Sequence, residues 1–122
     1  MLNLSHKNLV VYQAGLKLVR EIYSLTGQFP KEEQYVIINQ LRRAAISVCS
    51  NIAEGAARRS KPEKIRFFEM SRSSAVEIDT QLEISIHLGY TKPEQLDNIS
   101  RLLISVFRIL SKLIENLNKQ TN

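Results

Sequence analysis

Turn-forming residues are scarce in this sequence, with four glycines and three prolines in 122 residues. A many-stranded β-fold needs a turn signal about every 8–12 residues, so the scarcity excludes one and favours a few long elements. Tryptophan is absent and Cys49 is the single cysteine, which excludes an internal disulfide and any cysteine-built zinc cage. The two histidines, His6 and His87, stand far apart, so a histidine metal site would need distant elements; packed or solvated imidazoles are the simpler reading, and neither metal nor cofactor is expected. No apolar run approaches the roughly 18–20 residues of a membrane span. The start, Met1 to Lys7, lacks the charged-then-apolar order of a signal peptide, so a cytosolic location is expected.

What is present fits one domain over residues 1–122. A hydrophobic fraction of 43% and a charged fraction of 24% exclude disorder, and a chain of this length buries roughly two-thirds of its unfolded surface without a staple. The net charge of +5 favours acidic partners, but where the charges sit matters more than their sum.

Two stretches, Ser60-Lys61-Pro62-Glu63 and Thr91-Lys92-Pro93-Glu94, share the hydroxyl-x-x-Glu spacing of a capping box. The hydroxyl can accept the third backbone N–H, the Glu can reach back, and Pro fits the first turn. Gly89 after Leu88 and Gly27 after Thr26 can end helices in the left-handed conformation, and Phe29-Pro30-Lys31-Glu32-Glu33 starts another helix with acids at its positive end. The reading is an all-α chain of four helices over 8–26, 31–58, 61–88 and 92–118, joined by short turns. Short turns between long helices make an antiparallel up-down-up-down bundle. The tails, Met1 to Lys7 and Lys119 to Asn122, have little apolar content and are expected to fray.

In the last helix, Leu96, Ile99, Leu103, Val106, Leu110, Leu113 and Leu117 follow alternating three- and four-residue steps, a coiled-coil-like seam flanked by Phe107 and Ile114. The first helix carries two stripes, Val11-Gly15-Leu18-Ile22-Leu25 and Tyr12-Leu16-Val19-Tyr23. In the third, Ile65, Phe68, Ala75, Leu82 and Ile86 share one face, while Phe67, Met70, Val76, Ile78, Ile84 and Leu88 spread around the circumference. A helix that is apolar on more than one side is covered on more than one side, so self-association is expected over a monomer.

The second helix is the most informative. Leu41, Ala45, Val48 and Ile52 make its core stripe, and Arg43, Ser47, Ser50, Asn51, Glu54 and Arg58 make a second stripe of small and polar groups. Small residues allow close approach of another helix, and the polar members can then hydrogen-bond across the contact; Ser74, Glu77 and Gln81 of the third helix offer partners. The residues expected to carry assembly are Arg42, Arg43, Ser47, Asn51, Glu54, Glu77 and Gln81.

The run from Gln40 to Val48, Gln-Leu-Arg-Arg-Ala-Ala-Ile-Ser-Val, followed by Ser50-Asn51-Ile52-Ala53-Glu54-Gly55, resembles the hallmark of the four-helix-bundle proteins encoded in intervening sequences of bacterial 23S ribosomal RNA genes. Leu9-Val10-Val11-Tyr12, Phe29-Pro30, Arg58-Arg59-Ser60, Arg66-Phe67, Glu77, Thr80-Gln81-Leu82 and Leu88-Gly89-Tyr90 extend the likeness over most of the chain. Departures are local: Tyr12 stands where tryptophan is usual, Cys49 where proline is common and Ser73 where glycine is common. The resemblance implies a bundle assembling into a ring, a homopentamer, in the bacterial cytoplasm. It also implies kinship with accessory proteins of diversity-generating retroelements, positively charged barrels that work with a reverse transcriptase and its RNA. The ribosomal label reflects gene location and implies no role in the ribosome.

Arg58, Arg59, Lys61, Lys64 and Arg66 gather at the junction of the second and third helices, where they can bind phosphate without reading bases; a solvated turn is the plainer reading, and both stand. Phe67 and Phe68 beside them are expected in the core rather than stacked on bases. The sequence holds no Gly-rich phosphate loop, nucleophile elbow, His-Glu-x-x-His or Glu-x-x-His pattern, and Cys49 lies in a helix interior, so no catalytic residue is named. The expectation is a non-enzymatic oligomeric adaptor that binds RNA or an RNA-associated protein, with a purely protein-binding helical scaffold as the alternative.

Overall fold

The structure, a computed structural model, describes residues 1–120. Among them there are four α-helices and no strands: α1 (Val10–Thr26), α2 (Asn39–Ala57), α3 (Lys61–His87) and α4 (Asp97–Lys119). Each helix packs mainly on its two chain neighbours, with α4 returning to α1, so the four form a square antiparallel bundle. Leu18, Ile22, Leu41, Ile52, Ile78 and Leu110 fill its centre, all fully buried. No helix among the described residues is long and apolar enough to cross a membrane.

The ends of the elements follow local chemistry, with several corrections to the expected bounds. Ser60 Oγ accepts the Glu63 backbone N–H at 3.3 Å and Pro62 sits in the first turn, so α3 starts with the hydroxyl half of the expected box, while the Glu63 carboxylate pairs forward with Arg66 instead of reaching back. It ends in a Schellman motif: Gly89 takes φ +79°, its N–H donates to Ile86 O, and the Tyr90 N–H donates to Ser85 O at 2.9 Å. Gly27, by contrast, is right-handed at φ −62°. Further tight turns, Gln28 N–H to Leu25 O and Phe29 N–H to Thr26 O, carry the chain on until Phe29 tucks against Tyr90, so no left-handed residue is needed.

The expected Thr91–Glu94 box does not form. Gln95 replaces Glu94, its Oε1 accepting from Thr91 Oγ1 and from the Lys92 N–H, both at 3.1 Å. A 3-10 turn, Pro93–Leu96, then precedes α4. The segment expected to open the second helix is likewise not α-helical: Lys31–Glu33 is a 3-10 turn and Gln34–Ile38 a π-turn. The wide turn turns both Ile37 and Ile38 inward and leaves Tyr35 and Val36 exposed.

At the N-terminus, Ser5–Asn8 forms a 3-10 turn in place of a frayed tail, because buried His6 packs edge-on against Tyr12 at 4.8 Å. Of the other tail expected to fray, Lys119 instead ends α4 and pairs with Glu115, and Thr121 and Asn122 lie outside the described residues.

Candidate functional site

The polar stripe of α2 meets α3 along a seam built from small residues. Gly55 faces Phe68 so closely that a Cβ there would lie 2.7 Å from the ring. Nearby, Ser71 Oγ donates to the Val48 carbonyl at 2.8 Å and Ser74 Oγ donates to Ser47 Oγ at 2.9 Å. Asn51 Nδ2 donates to both the carbonyl and the hydroxyl of Ser47, each at 2.9 Å, and Gln81 Nε2 donates to Gln40 Oε1 at 3.2 Å. Hydroxyls and amides therefore occupy places where larger apolar side chains would hold the helices apart.

Of the seven residues expected in this network, Ser47 and Asn51 share one hydrogen-bond cluster and Gln81 reaches across to α2. Arg43 and Glu77 line the same outward notch as Gln40, Ser47 and Gln81, a hollow of about 280 Å³, without forming an ion pair. Within the notch, Gln81 Oε1 is buried with no hydrogen-bond partner among the described residues. The other two lie elsewhere. Arg42 turns to α1, where its Nε donates to Thr26 Oγ1 at 2.9 Å and its guanidinium lies 4.4 Å over the Tyr23 ring. Glu54 turns to the end of its own helix and pairs with Arg58 at 2.8 Å.

The basic junction closes the lower end of this seam. Lys64 Nζ donates to the carbonyls of Gly55 and Ala56, at 3.4 and 3.1 Å, at the negative pole of the α2 dipole, where the Gly55 carbonyl also accepts the Arg58 N–H. Lys61 Nζ donates to the Gln120 carbonyl at 2.8 Å. Arg58 and Arg66 pair with Glu54 and Glu63, and their guanidinium groups flank the Phe67 ring at 4.7 and 5.3 Å. Phe68 is buried as expected, whereas Phe67 is only half-buried: it is the ring between two cations and not part of the core. Arg59 is exposed and holds no salt bridge among the described residues. The exposed ion pairs are worth little to the fold, so Arg58 and Arg66 are free to exchange a carboxylate for another anion, while Lys64 is committed to capping α2.

Ser71 and Ser85, fully buried, escaped the sequence reading. Their signal was present: Ser71, Ser74, Ile78, Gln81 and Ser85 recur at three- and four-residue steps, and the small polar members belong to the buried face, not to the wet one. Cys49 is buried against Gly15, where an added Cβ would lie 2.9 Å from its Sγ. Burial pushes the thiol up from 9.0 to about 11, which leaves it protonated and unreactive near neutrality.

Residues 7–112 match the family described as 23S rRNA-intervening sequence protein, and the chain belongs to that family. In fold it is similar to a solved protein of unknown function from the S23 ribosomal protein family of Bacteroides thetaiotaomicron. The two are 24% identical, the match covers 87% of this chain and 96% of that one, and the TM-score is 0.79. No curated protein matches the chain.

Proposed function

From that membership and the surface of the bundle, we propose that the protein is a non-enzymatic adaptor of the cytoplasm. Its copies assemble through the outward side of the α2–α3 seam into a ring-like homo-oligomer, the homopentamer that the likeness to the family implies, and display the basic junction of each copy to RNA or an RNA-associated protein. Kinship with the accessory proteins of diversity-generating retroelements is part of the same reading. The observation that carries it is the pair of cations over Phe67: Arg58 and Arg66 are held by nothing stronger than exposed ion pairs, and exposed Arg59 follows Arg58 at the same end of every copy. Phosphate can displace those carboxylates, and repetition around a ring multiplies a weak contact.

The test is absolute mass by light scattering at low and high salt, with the ratio of absorbance at 260 and 280 nm read on the same peak. A salt-resistant multimer that carries nucleic acid only at low salt supports the reading. RNA binding that is undetectable or insensitive to salt removes the RNA part of it.

A second reading, a purely protein-binding scaffold, is favoured by the outer face of α1 and α2. There Leu16, Tyr23 and Ile46 are each at least 40% exposed, with Arg42 lying over the Tyr23 ring. A pull-down that retrieves RNA and no protein partner counts against that second reading.

A further inference from the structure

On the side away from the α2–α3 seam, α3 and α4 splay to leave an open groove of about 870 Å³ with Ala75, Val76, Leu103, Ile104 and Phe107 along its floor. Val76, Ile104 and Phe107 are 50%, 55% and 44% exposed, so the floor meets water along its length. Asp79, Arg108, Ser111, Lys112 and Glu115 share the lining of the groove with these apolar side chains. Acids predominate on the α3 side and cations on the α4 side, with Arg72 the exception on the first and Glu115 on the second. Glu69, Val76 and Glu83 are spaced seven apart on α3, with Asp79 beside them. Arg101, Arg108 and Lys112 follow the facing rim of α4, and all six charged residues are exposed.

The exceptions are already engaged. Arg72 donates to Ser111 Oγ at 3.2 Å and lies over the Phe107 ring, and Glu115 is paired with Lys119 and Lys112. The three acids of α3 and the two arginines of α4 hold no salt bridge among the described residues.

We infer that the groove is the contact surface for a second copy of this chain, related by a two-fold axis that runs parallel to the helices. This goes beyond the ring proposed above, which closes head to tail through a different face. The charges select the axis. A two-fold axis lying across the helices in the contact plane sets α3 on α3 and α4 on α4, acid against acid and base against base. An axis along the helices sets α3 of each copy on α4 of the other, so that acid faces base on both rims except where Glu115, held by Lys112 and Lys119, comes level with Glu69.

The levels agree as well. The Arg72–Ser111 hydrogen bond fixes the register of α3 on α4. At about 1.5 Å of rise per residue, Glu83 of one copy then lies within about 2 Å axially of Arg101 of the other, and Glu69 within about 3 Å of Lys112. Asp79 falls between Arg101 and Arg108, about 5–6 Å from each along the axis, a gap that a long arginine side chain spans. The apolar floors come face to face between the rims. A nucleic acid or an anionic membrane would be repelled by the α3 rim, so neither fits the whole surface.

Charge reversal tests the pairing. Asp79→Arg with Glu83→Arg makes both rims basic, and Arg101→Glu with Arg108→Glu makes both acidic. Each pair of substitutions is expected to halve the particle mass read by light scattering, or to raise the half-dissociation concentration at least tenfold. The four substitutions together restore the complement and the wild-type mass. All four positions are exposed, and unchanged circular dichroism melting verifies that each variant is folded. A wild-type protein that sediments as a single chain, leaving the groove to a helix of some other protein, overturns the inference; so do single-rim reversals that leave the mass unchanged, or a fourfold variant that fails to recover it. Pairs with this pattern but no larger species would tell against the ring alone.

Discussion

Helix α3 meets its two neighbours in opposite ways. Toward α2 it presents Ser71 and Ser74 opposite Val48 and Ser47, and the backbones approach until Gly55 touches Phe68. Toward α4 it presents Val76 and Asp79 opposite Phe107 and Ile104, and a groove stays open. The apolar side is thus the looser one. Closeness here is set by side-chain volume and by whether each polar group finds a partner, and hydrophobicity alone predicts the reverse.

The sharpest way to break the contrast is to add volume on both sides. Gly55→Val drives a branched side chain into the Phe68 ring and the Phe67 Cβ, which a Cβ would meet at 2.7 and 3.3 Å, and is expected to cost about 3 kcal/mol in urea unfolding. Val76→Leu, made together with Asp79→Arg and Glu83→Arg so that the copies stay apart, adds volume to the open groove and is expected to leave stability within about 0.5 kcal/mol of that background. Equal costs for the two would show that α3 and α4 close the groove within the single chain.

A smaller effect of the same kind is expected where α1 crosses α2. Gly15→Ala sets a methyl group 2.9 Å from Cys49 Sγ and should cost about 1–2 kcal/mol, which the added substitution Cys49→Ala should largely return, since it removes the opposing atom. The same crowding keeps the thiol from water, and the sign of its pH dependence follows. The unfolded thiol ionises near 9.0 and the folded one near 11, so the unfolded chain releases its proton first as pH rises. The stability tied to this group is complete below pH 9 and is lost as pH climbs toward 11, a decline that Cys49→Ala should remove from a series of melting curves.

Next comes Ser71→Ala, expected to cost about 1 kcal/mol because the lost donor leaves the Val48 carbonyl with its intrahelical bond still available. Replacement by Leu is expected to cost more than replacement by Ala, the order found on a tight face. The opposite order would place Ser71 on a loose one.

Most of this architecture was legible in the sequence. Leu41, Ala45, Val48 and Ile52 are fully buried as their spacing indicates, and Leu96, Ile99, Leu103, Val106 and Leu110 are buried along α4. Past Leu110 the reading drifts: Ile114 is buried while Leu113 and Leu117 are half-buried. A straight helix turns every 3.6 residues, so a strict three-four alternation rotates off the core within a few turns. Ile78, which its spacing sets apart from the expected core face among residues spread around the circumference, is fully buried, because serines share its face and dilute the apolar pattern. The capping of α4 was misread for a related reason: Glu94 has the right spacing for Thr91, but Gln95 has the reach. Of the assembly candidates, Ser47, Asn51 and Gln81 hydrogen-bond at the α2–α3 seam, whereas the partner chosen by a long side chain is not a matter of spacing, and Arg42 and Glu54 swing to other faces.

The smallest structural effect, and the most informative for function, is expected at the basic junction. Glu54→Gln removes the carboxylate from Arg58 while keeping a side chain of the same shape, and an exposed i,i+4 pair of this kind contributes about 0.3–0.5 kcal/mol, so the melting temperature should hardly move. The junction meanwhile gains one unit of positive charge beside Phe67. If its cations serve phosphate, RNA retention at low salt should rise several-fold and fall more steeply with added salt, because one more counterion is displaced on binding. Lys64→Met provides the contrast within the same cluster: Lys64 spends its ammonium on the Gly55 and Ala56 carbonyls, so its loss should lower the melting temperature more than it weakens RNA retention. A Glu54→Gln protein that melts several degrees lower and binds no more RNA would mean that the pair exists to hold the turn, and that the cations around Phe67 are structural.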